Sequence, residues 1–325
     1  MRDLLTNKKI LFALQSLGSV FFIYYVFQKI NFYQLWDTLS AVNIKYFLVY
    51  VGFSFASLFL YVFRWQLVNK IIGVEVNYKE LFKIYLIGSF FANFLPGSLG
   101  GDIYRGYILS KRSNSVSKSL ISIFFERGIG LYMMFFMGMC ISLFYIDQFS
   151  VYIFYFFLTV VVAVTAGIFI VVKYNLINWL SRFKALHSLA SFFSAVTDFI
   201  EIIKRSPRST FVIIITTIIY QLIATGITIF LYYSVGGSPD FFRMLSICIL
   251  VFILVNVPIS INGIGLREAL FMYFSAAIAI SPEKNTIVSV LIYITNLLIG
   301  LMGCAIYIHK KYTGYVEKKN QAELL

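Results

Sequence analysis

"NFLPGSLGGDIYRG", residues 93–106, is the stretch on which the reading of this chain turns. Hydrophobic residues run up to Leu95. A proline, a serine, glycines, Asp102 and Arg105 then break the run, before "YIL" resumes it. A chain that breaks an apolar run with proline and glycine, and places an arginine at the break, is building something other than a plain membrane span.

The surroundings of the break set its context. The chain has 325 residues, of which 60% are hydrophobic and 13% charged, with a mean hydropathy of +0.85. Soluble domains are nearer about 45–50% apolar and about 25% charged. The apolar runs are long and apolar on all faces. This fits a helical polytopic membrane protein, not the alternating ten-residue strands of a membrane barrel. Cys140, Cys248 and Cys304 lie inside apolar runs as fillers, and neither His187 nor His309 has metal-ligand spacing to other residues. No metal, cofactor or catalytic residue is expected. The formal charge of +13 fits anionic lipid beside the basic loops and does not call for nucleic acid.

Six stretches are long enough to cross a hydrocarbon core of about 30 Å: 10–28, 46–63, 120–144, 151–172, 211–233 and 286–308. Two regions differ. Residues 82–95 make a hydrophobic run 14 residues long, about 21 Å as a helix, before the break. Residues 244–257 run similarly into "PISINGIG", and "LREALFMYFSAAIAI" follows. With a cytoplasmic N-terminus and each broken region returning to its own side, the inside holds most of the basic residues. It has three before residue 10, four in 64–83, four in 105–118, six in 173–208 and four after 309. Outside lie Lys29, Lys45, Arg243 and Lys284. That bias places both termini in the cytoplasm.

The expected fold is therefore all-α, with about six full spans and four shorter segments. The segments form two broken or re-entrant hairpins within inverted repeats. Residues 1–325 make one integral membrane domain, with a first repeat core at 82–172 and a second at 211–308. Residues 176–205 read as a cytoplasmic amphipathic helix, because Leu176, Leu180, Phe183, Leu186, Ala190, Phe193, Val196 and Ile200 recur at steps of three or four. Trp65 and Trp179, near the expected inner interface, read as anchors.

The repeat rests on a motif that occurs twice. Pro96, Ser98, Gly101 and Arg105 match Pro258, Ser260, Gly263 and Arg267 as P-x-S-x-x-G-x-x-x-R, with Asn93 and Asn256 just upstream. The first break faces the inside and the second the outside, as in transporters whose broken helices meet near the midplane and line a site. The prolines disrupt the preceding turn. Gly100, Gly101, Gly263 and Gly265 permit tight turns and close backbone approach. The restarting helices offer free N–H groups to an anion. Arg105 and Arg267 beside those ends suit a phosphate-bearing ligand held with Ser98 or Ser260, or structural pairing with Asp102 and Glu268. Glu126 and Arg127, in "FFERGIG", cannot share a helix face. Ion pairing to neighbouring helices, with Glu126 reaching Arg105, is preferred over proton coupling.

The stretches "FLPGSLGGDIYRGYILSKR", "SIFFERGIGLY" and "VPISINGIGLREALF" resemble the three motifs of the lysylphosphatidylglycerol synthase transmembrane-region family. Within it falls the flippase part of the multiple peptide resistance factor. The resemblance covers about residues 10–310. It implies a bundle with inverted repeats and re-entrant helices that moves a lipid between leaflets. The family's glycine-rich, arginine and acidic positions correspond here to Pro96, Gly100, Gly101, Asp102, Arg105, Glu126, Arg127, Pro258, Gly263, Gly265, Arg267 and Glu268. "PISING" carries serine and asparagine where relatives often have glycine, and Gly130 or Leu131 stands where an acid is common. In the full synthase a soluble domain performs lysyl transfer. Here sixteen residues follow His309, so a transferase activity of that kind is not expected.

The function expected from sequence is translocation of an anionic phospholipid or polyprenyl-phosphate-linked lipid, its headgroup held by the paired hairpin tips. The alternatives are an accessory or regulatory subunit of a lipid or glycan synthesis enzyme, and a membrane-embedded lipid transferase with Glu126 or Asp102 as base. Glycine-rich interfaces permit a homodimer without requiring one.

Overall fold

The computed structural model describes residues 2–94, 99–143, 151–173, 201, 204–257 and 259–323. Pro96, Ser98, Pro258, Trp179 and nearly all of the expected amphipathic helix at 176–205 lie outside the described residues. The described chain is all helical. The elements are α1 (Arg2–Phe27), α2 (Phe32–Ser40), α3 (Ile44–Ile71), α4 (Tyr78–Phe94), α5 (Leu99–Ser113), α6 (Val116–Leu143), α7 (Val151–Lys173), α8 (Pro207–Gly226), α9 (Thr228–Ser234), α10 (Phe241–Val255), α11 (Leu266–Ser275) and α12 (Pro282–Glu323). Short 3₁₀ turns at Ile261–Gly263 and Ala276–Ile278 flank α11.

Five of these stretches are long and apolar enough to cross a membrane: Ile44–Ile71, Val116–Leu143, Val151–Ile170, Pro207–Ser234 and Pro282–His309. They coincide with five of the six expected spans, and the chain is a multi-pass helical membrane protein. The sixth expectation, 10–28, falls in α1 (Arg2–Phe27), of which Ala13–Phe27 is an apolar helical stretch. Hydrocarbon offers no hydrogen bonds, so each span satisfies its own backbone in a helix. Caps fix the ends that leave it: the Asn43 side chain accepts from Lys45 N–H at the start of α3, and Asp240 accepts from Arg243 N–H at the start of α10.

Both broken regions are antiparallel helix pairs. In the first, α4 runs against α5: Glu80 pairs with Arg112 at 2.6 Å, Phe91 stacks on Tyr104 with centroids 4.8 Å apart, and Gly88 faces Arg105. In the second, α10 turns back through the 3₁₀ turn into α11, with the Phe252 and Phe271 rings 6.4 Å apart. At 1.5 Å per residue α11 is about 15 Å long, roughly half a hydrocarbon core. The first hairpin packs through α4 on α12, and the second through α10 on α6; α5 lies on α6 as α11 lies on α12, and α3 meets α8.

The glycines serve the two hairpins differently. Gly263 (φ +76°) and Gly265 (φ +78°) occupy the left-handed backbone region, which makes the turn into α11. Gly100 and Gly101 sit inside the first turn of α5, and Gly101 is there for space: a Cβ on it would press on the Gly88 carbonyl and, at 3.0 Å, on the Ala92 Cβ. Close approach also governs the seam of α4 with α12, where a Cβ at Gly303 would land on the Leu86 carbonyl oxygen. Around these seams lie two main cores, one of α3, α9, α10, α11 and α12 about Tyr232 and Phe271, and one of α3, α4 and α5 about Trp65 and Leu81.

Trp65 corrects an expectation. It is fully buried and donates from Nε1 to Ser122 Oγ at 3.0 Å. An interface anchor would keep its N–H toward water; Trp65 instead finds its partner inside the bundle.

The α4–α12 seam yields a stability prediction. Gly303→Val forces the helices apart and should cost about 1–3 kcal/mol, the usual penalty of overpacking. Gly52→Ala, where no neighbour lies within 4 Å, should be neutral or mildly stabilising. Thermal unfolding of the detergent-purified protein followed by monodispersity distinguishes the two.

Candidate functional site

The polar residues that break the spans converge on two places. The first is a buried ion cluster shared by α3, α5 and α6. Glu126, 1% exposed, is ion-paired to Arg64 of α3 and, at 3.4 Å, to Arg105 of α5. Arg105 also reaches Asp102 at 3.1 Å, and Asp102 pairs with Arg127. Tyr61 donates its hydroxyl to Glu126 at 2.6 Å and accepts from Arg105 at 3.1 Å. The Arg105 guanidinium lies over the Trp65 ring at 4.1 Å, and that of Arg64 over Tyr61 at 4.9 Å. A buried charge in a low-dielectric interior persists only when paired and hydrogen-bonded, and this cluster supplies both kinds of partner.

The second place is a cavity of about 410 Å³ bordered by α3, α4, α8, α10, α12 and the turn into α11. It lies where Ser57, Tyr220, Gln221 and Asn296 stand, near the middle of the spans Ile44–Ile71, Pro207–Ser234 and Pro282–His309. The two hairpins meet at its edge. Asn93, near the end of α4, donates from Nδ2 to the Asn296 carbonyl at 3.0 Å and accepts from Asn262 Nδ2 at 3.3 Å. Gly300 leaves room for Asn93, since a Cβ there would strike its amide. Asn256, exposed at the C-terminus of α10, also lines the cavity.

Arg267 borders this cavity and is 7% exposed. Among the described residues its hydrogen bonding consists of one long contact, Nη2 to the Asn262 carbonyl at 3.4 Å, and its Nε has no partner. No carboxylate among the described residues lies within salt-bridge distance of it, Glu268 included. Glu268, third residue of α11, sits where a carboxylate complements the free N–H groups of a helix start, and its Oε2 has no partner.

The two motif arginines thus differ. Arg267 is the second residue of α11 and faces the cavity; Arg105 is the seventh of α5 and is held by carboxylates outside the cavity lining. The expected pairing of Glu126 with Arg105 and of Arg127 with a neighbouring helix is present. Of the two structural pairings offered as alternatives to a ligand, Arg105 with Asp102 is present and Arg267 with Glu268 is not among the salt bridges of the described residues. Ser260 Oγ is buried without a partner, away from the cavity lining. Among the described residues no cluster of three or more His, Cys, Asp or Glu is placed to hold a metal ion.

Sequence reading passed over Arg64, counted there as a loop charge, and the polar walls of the spans. A signal was present: Ser54, Ser57, Tyr61 and Arg64 recur at steps of three or four along an otherwise apolar α3, as Thr217, Gln221 and Thr225 do along α8. A polar stripe on a span turns inward.

The ion cluster makes a directional prediction. Glu126→Gln leaves Arg64 and Arg105 facing each other without a shared carboxylate, and should destabilise by about 3–5 kcal/mol. Adding Arg64→Met should restore part of that loss, so that the double variant melts above the Glu126→Gln single variant in the same detergent.

With this geometry in hand, comparison with other proteins places the chain. Over 95 residues it is 28% identical to a UPF0104 membrane protein of Methanothermobacter thermautotrophicus, covering 29% of this chain and 28% of that protein. Over 49 residues it is 41% identical to a UPF0104 membrane protein of Methanocaldococcus jannaschii, covering 15% of each. The aligned part thus spans less than a third of either relative. No solved structure matches the chain. The sequence pattern of the family described as the lysylphosphatidylglycerol synthase TM region matches residues 10–303, and the chain belongs to that family.

Proposed function

We propose that this protein carries a phosphate-bearing lipid between the two leaflets, with the headgroup seated in the mid-depth cavity against Arg267 and the tails left in hydrocarbon. Family membership and the helical membrane architecture support a role connected with lipid translocation. The observation that carries the finer reading is Arg267 itself, a buried guanidinium beside an amide-bearing cavity with, among the described residues, one long hydrogen bond and no carboxylate in salt-bridge contact. A planar fork of N–H donors matches a phosphate.

The element order supports alternating access. A span, a hairpin and a span recur as α3, α4–α5, α6 and again as α8–α9, α10–α11, α12. With the basic residues inside, the first hairpin enters from the cytoplasm and the second from outside, which inverts one unit relative to the other. Exchanging the units maps the packing of α4 on α12 onto that of α10 on α6, and of α5 on α6 onto that of α11 on α12. On this reading the repeats are better bounded by 44–143 and 207–309 than by 82–172 and 211–308. The carboxylate-bound Arg105 braces the first hairpin, and Arg267 takes the ligand.

Reconstitution of the full chain into liposomes containing acyl-labelled phosphatidylglycerol, with leaflet transfer read by quenching of the outer label, tests the proposal. Wild type should accelerate transfer. Arg267→Gln should slow it roughly tenfold or more, the effect of losing charge-assisted hydrogen bonds of about 1.5–3 kcal/mol, and Arg267→Lys should fall between. A rate indifferent to both variants overturns the site. Retention of lipid by wild type without any transfer overturns translocation and favours an accessory subunit.

A further inference from the structure

The chemistry of the cavity wall selects among phosphate-bearing headgroups, an inference that rests on the seating of the phosphate at Arg267. From the described residues the lining carries one cation and no carboxylate. Of the acids nearest in the fold, Glu126 and Asp102 are bound by arginines in the ion cluster, and Glu268, whose Oε2 has no partner, sits in the first turn of α11 off the lining. A headgroup with an ammonium, whether aminoacyl or ethanolamine, would bring a second buried charge with no carboxylate on the described lining to meet it, a heavily penalised arrangement.

The wall is instead rich in amides. Asn93, Asn256, Asn262, Asn296 and Gln221 border the cavity with Arg267. Asn93, Asn262, Asn256 and Gln221 spend side-chain N–H groups on protein carbonyl or amide oxygens. That leaves the Asn256, Asn262 and Gln221 amide oxygens and the Asn296 side chain to a ligand, an acceptor-rich set that suits one with several hydroxyl groups. Tyr50, Tyr85 and Tyr220 supply ring faces and further hydroxyls. The side chain of Asn296 makes no hydrogen bond to the described residues, although its backbone carbonyl holds Asn93. The volume of about 410 Å³ lies toward the small end of the roughly 300–1,000 Å³ of small-molecule sites, room for a headgroup and not for its chains.

We infer that the cavity takes a lipid phosphate bearing an uncharged polyol, either phosphoglycerol or a sugar phosphate, and discriminates against ammonium-bearing headgroups. The family is named for a lysyl lipid, whose headgroup carries ammonium groups; among the described residues this wall has amide and hydroxyl oxygens but no carboxylate to balance their charge.

The full-length protein in nanodiscs of an equimolar mixture supplies the test. The mixture contains phosphatidylglycerol, lysylphosphatidylglycerol, phosphatidylethanolamine and a hexosyl polyprenyl phosphate, and native mass spectrometry reads the retained lipids. Wild type should enrich phosphatidylglycerol or the hexosyl phosphate on the order of tenfold over both ammonium-bearing lipids, and whichever is enriched names the source of the phosphate. Asn296→Asp, isosteric and without a hydrogen bond to lose, should shift retention toward the ammonium-bearing lipids. Equal or better retention of lysylphosphatidylglycerol by wild type overturns the inference, as does an Asn296→Asp preference identical to wild type. If wild type keeps the lysyl lipid and Arg267→Gln and Arg267→Lys release it in graded fashion, the phosphate site stands while the polyol selectivity falls. Retention indifferent to both Arg267 variants, or no selective retention by wild type, overturns the phosphate site and this inference together.

Discussion

Hydrocarbon offers a buried charge nothing, so each ion that enters this bundle has to be met by the protein, and the chain of pairs Arg64–Glu126–Arg105–Asp102–Arg127 is where that requirement is met most fully. It ties α3, α5 and α6 to one another and fixes the first hairpin against the spans that flank it. Removing Glu126 would strand Arg64 and leave Arg105 with Asp102 alone, which makes the cluster a constraint on that whole end of the bundle and not an addition to it. The packing around it follows: Trp65 lies beneath Arg105, bonded to Ser122, which donates to Asn69 Oδ1 at 2.7 Å. Tyr61, Tyr85 and Tyr220 close the layer above, with Tyr61 4.5 Å from Tyr85 and 5.3 Å from Tyr220 between ring centroids. Because Tyr85 and Tyr220 also line the cavity, one aromatic layer divides the carboxylate-paired arginines from Arg267.

Much of this was legible in the sequence, for reasons that are physical. Spans declare themselves by length and continuous hydropathy, so five of six were placed from residue order alone. The breaks at 93–106 and 256–267 were visible because proline and glycine are the residues a helix does not carry at no cost. The partners of the charges were less legible. Glu126 with Arg105 could be anticipated from two acids and a base near one another in the chain, but Arg64 lies 62 positions from Glu126, and only tertiary packing joins them. Trp65 was misread because aromatic residues near a span end serve both as anchors and as core, and its burial depends on Ser122 across the helix interface.

The doubled motif shows how equal residues can be put to unequal use. Gly101 and Gly263 occupy the same motif position, yet one lets two helices touch and the other bends the backbone through positive φ. Arg105 and Arg267 likewise share a position, but α5 begins six residues before its arginine and α11 one residue before. That difference carries Arg105 away from the helix start toward Glu126, and leaves Arg267 at a helix start, where the macrodipole disfavours a cation.

Arg267 therefore stands at a place that three effects oppose: burial, the positive end of a helix, and the lack of a carboxylate within salt-bridge distance among the described residues. In the ion cluster a carboxylate meets each arginine inside the protein. At Arg267 none of the described residues does so within salt-bridge distance, and a core built for stability alone would replace such a residue with an apolar one of similar volume. An anion arriving in the cavity reverses all three terms together: it screens the charge, accepts from the same N–H groups that the helix start presents, and completes the hydrogen bonds of the guanidinium. On the proposed function, the free energy left unrecovered at Arg267 is then available on binding, near the middle of the spans, where a headgroup crossing between leaflets would have least access to water and most need of a partner.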